Sequence, residues 1–244
     1  MTCRIGYTQM RQTAFIALIL ACSPVVADGA PASDSPTVVE LFTSQGYSSC
    51  RPADAFLTEL AQQRKDVLPL AFHITYWDGL GWKDPYSFGA ATRRQQGYAQ
   101  SLGTGEVYTP EMVVNGTHGF VGSDRSAGLA EIARAEQGNQ EHVALKLSRN
   151  GDGFSVSVGS GAGRARVVLV GYDPEHRTPV GRGENADRTL LESNIVRSLS
   201  EIGQWTGAMV ELKTDVPAGE RFAVLLQSVD GTILGAATVS LSGI

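Results

Sequence analysis

Residues 38–54 read VVELFTSQGYSSCRPAD. The first five, Val38 to Phe42, are short and apolar enough for a buried strand. From Ala53 the apolar positions change period: Ala53, Phe56, Leu57, Leu60 and Ala61 recur at helical spacing as far as Gln63. A strand therefore runs into a helix through a turn, and Cys50 stands at the corner. A helix N-terminus carries free N–H donors and a partial positive charge. A thiolate placed there is stabilised, and its pKa falls below the free value of roughly 8.5. Two registers stay open. A helix that starts at Ser48 puts Cys50 about one turn in and buried. A helix with Pro52 at its first position leaves Cys50 just outside and exposed.

Outward from that corner, strand and helix alternate. Residues 67–74 (VLPLAFHI) read as a second strand. Residues 87–102 read as a polar helix with Phe88, Ala91, Tyr98 and Leu102 inward, and Arg93-Arg94 on a solvated face. Residues 111–114 and 119–121 read as a hairpin turned at Asn115-Gly116. Ser123-Asp124 then caps a helix to about residue 135. The order β-α-β-α-β-β-α implies an α/β domain: a mixed sheet with helices on both faces. Thr109-Pro110 stands just before the hairpin, and Pro110 is a candidate cis peptide because X–Pro bonds have only a small trans preference.

Residues 137–140 (QGNQ) mark a boundary, and the texture changes beyond it. Period-two alternation at 143–147 and 154–158 brackets an Asn150-Gly151-Asp152-Gly153 turn. Strand-like runs follow at 164–171, 190–199, 208–213, 222–228 and 233–241. Seven short strands with Gly-rich turns imply an antiparallel, β-sandwich-like domain. The expected division is a first domain over 37–138 and a β-rich one over 139–244.

The N-terminal segment reads as an address. Within 1–27, Arg4 and Arg11 precede a short apolar run, and Val25-Val26-Ala27 ends in a small residue. This implies a signal peptide over 1–27, a flexible polar leader over 28–36, and a periplasmic or secreted protein. Cys22 at the end of Leu18-Ile19-Leu20-Ala21-Cys22 also reads as a lipobox, so a lipid anchor there stays open. No later run is long and apolar enough for a transmembrane helix. Across 244 residues there are 20 basic and 25 acidic side chains, a net charge of -5, which argues against nucleic acid as partner. Three cysteines and four histidines are too few for a disulfide scaffold or a multi-site metal protein. With the leader removed, Cys50 is the one cysteine left, in an oxidising compartment where it has no internal partner.

The chain resembles a bacterial family of secreted, thioredoxin-like proteins of unknown function. The stretches that carry the resemblance are VVELFTSQGYSSCRPAD (38–54), LAFHITYWDGLGWKDPYS (70–87), VYTPEMVVNG (107–116), GSDRSA (122–127), GENADRTL (183–190), NIVR (194–197) and QSVDGTILGAA (227–237). The resemblance implies a thioredoxin-like domain followed by a β-rich one, with Pro110 as the cis-proline that faces the redox motif. It also exposes departures. The family usually carries Cys-Ser-Ser-Cys where this chain has Tyr47-Ser48-Ser49-Cys50. Tyr47 stands in the place of the attacking cysteine, and Cys50 matches the resolving one. Without the first thiol the two-cysteine exchange cycle cannot run. A phenol is no substitute, since it cannot form a disulfide. Asp187 replaces a usual glycine, and Ser193 stands where the family has histidine.

Other residues have a functional and a bland reading side by side. His73 could serve Cys50 as a base or share a metal with it, or be a hydrogen-bonded core histidine. Trp77 and Trp82 could line a peptide groove or seal a junction between the domains. His118 could approach the same corner, while His142 and His176 read as solvated. The charged loop 181–188 could bind a partner, or dock the β-rich half through Arg–carboxylate pairs. There is no phosphate loop, zinc helix motif or Gly-x-Ser-x-Gly elbow. The favoured expectation is a redox-degenerate binding module that holds an exported protein or peptide between Tyr47, Trp77 and Pro110. The alternative is a monothiol thiol-disulfide oxidoreductase in which Cys50, flanked by Ser48, Ser49 and Thr109, pairs with a low-molecular-weight thiol. A metal carrier using Cys50 and His73 is the weakest. No cofactor is expected.

Overall fold

A computed structural model describes residues 1–2, 35–138 and 142–240. The signal segment 1–27, Cys22 and the leader as far as residue 34 lie outside the described residues, apart from 1–2. Among the described residues no helix is long and apolar enough to cross a membrane.

β1 (Thr37–Thr43), α1 (Arg51–Gln63) and β2 (Val67–His73) form a unit in which β1 and β2 pair in parallel, from Thr37 opposite Val67 to Thr43 opposite His73. α2 (Gly89–Ser101) leads to the hairpin of β3 (Glu111–Val114) and β4 (His118–Val121). Its turn holds Asn115 at φ 45° and Gly116 at φ 70°, the left-handed pair that Asn-Gly favours. β3 lies antiparallel along the other edge of β1. α3 (Arg125–Gln137) is capped by Asp124, whose side chain accepts from Ala127 N–H.

The remaining strands are β5 (Leu145–Asn150), β6 (Gly153–Val158), β7 (Ala165–Val180), β8 (Arg188–Trp205), β9 (Val210–Asp215), β10 (Arg221–Ser228) and β11 (Ile233–Ser240). All seven runs expected from alternation are strands. They do not form a separate sandwich, however. β7, β8, β10 and β11 extend the first sheet into one of eight strands, ordered β11-β10-β7-β8-β2-β1-β3-β4. Only β5, β6 and β9 make a second, antiparallel sheet. The sheet is thus continuous across residue 138.

The seam between the halves is narrow. β2 and β8 pair in parallel at Ala71 and Ile195 alone. Pro69 has no N–H to offer a neighbour, which is why proline is uncommon in a central strand. Here the backbone of β8 turns away, with Asn194 at φ 51°, and the Asn194 side-chain amide donates to Pro69 O at 2.8 Å.

Period-two alternation sorts the core. Along β1, Val38 and Phe42 face one side, with Tyr98 of α2, while Val39 and Leu41 face the other, with Phe56 and Leu57 of α1 and Ile132 of α3. Helices therefore cover both faces. Along β7, Val168 and Val170 join the α2 side, while Val167 and Leu169 pack with Phe154 and Val156 of the small sheet and with Trp205. The two-sheet packing expected of the second half is present there, between the small sheet and the extension of the large one.

One charged pair crosses this core. Glu40 of β1 is fully buried and accepts from Arg94 Nη2 and Tyr98 Oη, both at 2.7 Å. Gln227 of β10 accepts from Arg94 Nη1 at 3.0 Å and donates to Tyr98 Oη at 2.9 Å. Arg93 is exposed as expected, but Arg94 is not. Neighbouring helix residues point in different directions, and only Arg94 faces the sheet.

Candidate functional site

At the corner, a single 3₁₀ turn over Ser48–Cys50 precedes α1, with Pro52 in the first turn of the helix. This matches the register that buries Cys50, which is 0% exposed. Burial, reinforced by the charge of Asp54, pushes the thiol far above its ordinary range, and Thr43 and the Ser44 backbone pull it only part of the way back. The helix terminus does not win here, because burial of the thiol outweighs it.

Tyr47 is half-buried, and its ring stacks on Trp77 with centroids 4.7 Å apart and planes 23° apart. Tyr76 continues this wall, tilted against Trp77 at 5.7 Å. Its hydroxyl is hydrogen-bonded to Gln95 at 3.0 Å and to Thr109. The Thr109–Pro110 peptide is cis. Pro110 is buried beside α1: a Cβ added at Gly122 would lie 3.2 Å from Ala53 Cβ and 3.3 Å from Pro110 Cβ. Tyr47, Trp77 and Thr109 thus offer partly exposed surface above a buried Pro110 and Cys50. Ser49 is exposed, and Ser48 donates from both N–H and Oγ to Glu184 Oε2, at 2.9 and 2.8 Å.

Beneath this surface lies a buried polar cluster. His73 is 0% exposed, so it lies under the aromatic wall rather than on it. Its Nδ1 is 2.7 Å from Asp84 Oδ2, and its Nε2 has no hydrogen-bond partner. Asp84 also accepts from the N–H groups of Gln45 at 2.8 Å and Tyr86 at 2.9 Å. Burial alone would lower the His73 imidazolium. Asp84, then Glu192, outweigh it and raise the group to about 9. Glu192 Oε2 accepts from Gln45 Nε2 at 2.5 Å, while Oε1 has no hydrogen-bond partner and lies 3.9 Å from His73 Nε2. Asp54 Oδ1 accepts from Thr43 Oγ1 at 2.6 Å. Burial, and then the neighbouring charge between them, hold Asp54 well above the usual carboxylate range; burial does the same for Glu192.

Trp82 belongs to the junction. Its Nε1 donates to Gln45 Oε1 at 3.1 Å, and its backbone and Cβ pack on Gly183. The loop 181–188 does dock the second half onto the first, but not through arginines. Glu184 holds Ser48, and Asn185 Nδ2 donates to Gln45 O at 2.9 Å. Asp187, in place of a glycine, has φ 62°, a conformation Asp adopts at a cost. His118 is exposed on β4, 3.7 Å from Glu131, away from this corner. His176 is not simply solvated: it stacks on Tyr86 at 4.9 Å and bonds Asp173 at 2.7 Å, which Arg197 also holds. Among the described residues no three His, Cys, Asp or Glu side chains form a group able to hold a metal ion.

Sequence reasoning passed over Gln45, Asp54, Asp84 and Glu192. Asp54 carried a signal, since it falls beside Ala53 on the inward side of α1. Glu192 follows Leu190-Leu191 directly and begins a polar stretch with Ser193 and Asn194, so its burial had no signal in the local sequence.

A protein-family profile described as "Protein of unknown function (DUF1223)" matches residues 38–227. A crystal structure of a protein from Agrobacterium tumefaciens, from a structural-genomics programme, is 31% identical with a TM-score of 0.75, over 88% of this chain and 97% of that one. HBP35 of Porphyromonas gingivalis is 12% identical with a TM-score of 0.55, over 86% of this chain and 76% of that one, a likeness of fold alone. No curated protein matches.

Proposed function

The chain belongs to the family of unknown function DUF1223, and we propose that it is an exported, redox-degenerate thioredoxin-like module that binds an extended segment of another exported protein or peptide. In this reading residues 37–138 are the thioredoxin-like part and 139–244 a β-rich part that buttresses it. The parallel β1–α1–β2 unit, the antiparallel β3–β4 hairpin, α3 and the cis Thr109–Pro110 bond support the first assignment.

The observation that carries the reading is the state of the corner. Cys50 has no exposed surface, and Tyr47, whose carbonyl accepts from Cys50 N–H at 3.2 Å, has its ring stacked on Trp77. A thiol that is buried and held far above its ordinary pKa is a poor nucleophile. The monothiol alternative needs an exposed, activated Cys50, and a metal carrier needs a donor set around Cys50 and His73. Aromatic faces beside an extended strand entry suit a peptide chain instead, since large rigid side chains supply contact area at low entropic cost.

The test is selection of extended peptides on the mature protein, followed by titration on Trp77→Ala and Tyr47→Ala. Peptides that bind the wild type and lose at least tenfold on both variants are expected. Peptides that bind all three proteins equally would place recognition elsewhere.

A further inference from the structure

Helix α2 covers the large sheet only in part. Tyr98 and Arg94 bind it to β1 and β10, but Ala90 and Gly97 give it a flank of small residues, and a Cβ added at Gly97 would meet nothing within 4 Å. Between that flank and strands β7, β8 and β10 lies a cavity of about 890 Å³. That is within the roughly 300–1,000 Å³ of small-molecule sites, and the peptide-binding reading does not use it.

Two guanidiniums converge in this cavity. Gln227, 2% exposed, accepts at Oε1 from Arg94 Nη1 at 3.0 Å and from Arg166 Nη2 at 3.1 Å, so the two nitrogens lie within about 6 Å of each other. Like charges so close repel. Glu40 offsets Arg94. Arg166 is exposed, and among the described residues no carboxylate lies within 4.0 Å of it or of Arg93, which lines the same cavity. With Nη2 on Gln227, the Nε and Nη1 donors of Arg166 have no partner among the described residues. The two acids of the lining are held by neighbours of their own. Glu201 accepts from Gln204 Nε2 at 3.4 Å, and Asp230 accepts from Ser228 Oγ and from Thr232 N–H, the latter at 3.1 Å. The rest of the surface includes aliphatic groups: Val168, half-buried Leu199, and Val229, which is 85% exposed.

We infer that this cavity is a second binding site, for an aliphatic monocarboxylate, with its carboxylate on Arg166 next to Arg94 and its chain along Val168, Leu199 and Val229. A carboxylate matches the guanidinium fork and sets a negative charge between two positive ones. An aliphatic chain removes from water the apolar wall that α2 leaves open. A phosphate monoester would set a second negative charge near Glu201 and Asp230, and an amine would add to the arginines. The inference does not depend on the peptide-binding reading.

Octanoate, titrated by NMR or calorimetry against the mature protein at pH 7, tests it. Binding with a Kd below about 1 mM is expected. Acetate, octanol, octylamine and octyl phosphate should each bind at least tenfold more weakly. Arg166→Gln, at an exposed position, should weaken octanoate at least tenfold. Gly97→Leu, which favours the helix and fills the cavity, should weaken it as much while the protein stays folded. Absence of octanoate binding at 10 mM overturns the inference. So does equal or tighter binding of any of the four other probes, or an Arg166→Gln protein that binds octanoate unchanged.

Discussion

The Tyr47 ring lies 4.7 Å from the Trp77 ring, nearly parallel to it, directly before the turn that buries Cys50. In the proposed thioredoxin-like reading this phenol stands where a first cysteine would. Tyr47→Cys should restore a dithiol of the right spacing. The variant is expected to form a disulfide to Cys50 and to show insulin-reductase activity above that of the wild type. A folded variant with neither would contradict the thioredoxin-like register.

The buried cluster makes stability depend on pH. The folded pKa of His73, about 9, lies above its ordinary 6.5, so the protonated form contributes stability fully below pH 6.5 and loses it as pH rises to about 9. Asp54 and Glu192 are also raised, so their contributions fall in the same direction from the acid side. Urea unfolding should give a lower free energy at pH 8.5 than at 6.5, by roughly 1–3 kcal/mol, given about 1.4 kcal/mol per pH unit for each group. A His73→Gln protein should lose the His73 share of that slope and keep the share of Asp54. A wild-type stability that rises over this interval would contradict the arrangement.

Arg94 and Glu40 are a buried pair, and the partners left behind decide the cost of breaking it. Arg94→Ala should cost about 3–5 kcal/mol, because Glu40 is then buried without a cation. The double replacement Arg94→Met with Glu40→Gln should cost less than Arg94→Ala alone. Denaturant midpoints measure both.

Two glycines should respond with opposite signs. A Cβ at Gly116 would fall 1.9 Å from Gly231 O, on a residue at φ 70°. Gly116→Ala should destabilise by at least about 2 kcal/mol. Gly97 lies inside α2 with nothing within 4 Å of an added Cβ, so Gly97→Ala should stabilise by about 0.5–1 kcal/mol. Thermal and urea unfolding of the two variants decide it.

Local pattern made most elements legible. Val38 to Phe42 alternates between two cores, Asn115-Gly116 turns a hairpin, and Asp124 caps α3. Pairing over long separations was not legible. Nothing near Leu190 to Leu199 says that this run lies beside β2, and the seam itself rests on Asn194 reaching Pro69. The site divides in the same way. Cys50, Tyr47, Trp77 and Pro110 come from adjoining segments and could be read together. Asp54, Asp84 and Glu192 meet only because β8 crosses beneath the corner, so their shared burial and raised or lowered protonation are products of topology. Arg94 was misread as solvated because its partner Glu40 sits on another element, and His176 because the Tyr86 ring on which it stacks comes from the first half, although Asp173 is three residues away on its own strand.

The central claim is that Cys50 is a structural thiol in a module that no longer exchanges disulfides. The rate of alkylation of Cys50 in the native mature protein, followed by mass spectrometry from pH 6 to 10, tests it most directly. The account predicts negligible labelling across that range and full labelling once the protein is denatured. Rapid labelling of the folded protein, with a midpoint below the free-thiol value of roughly 8.5, would contradict it and return the chain to monothiol chemistry.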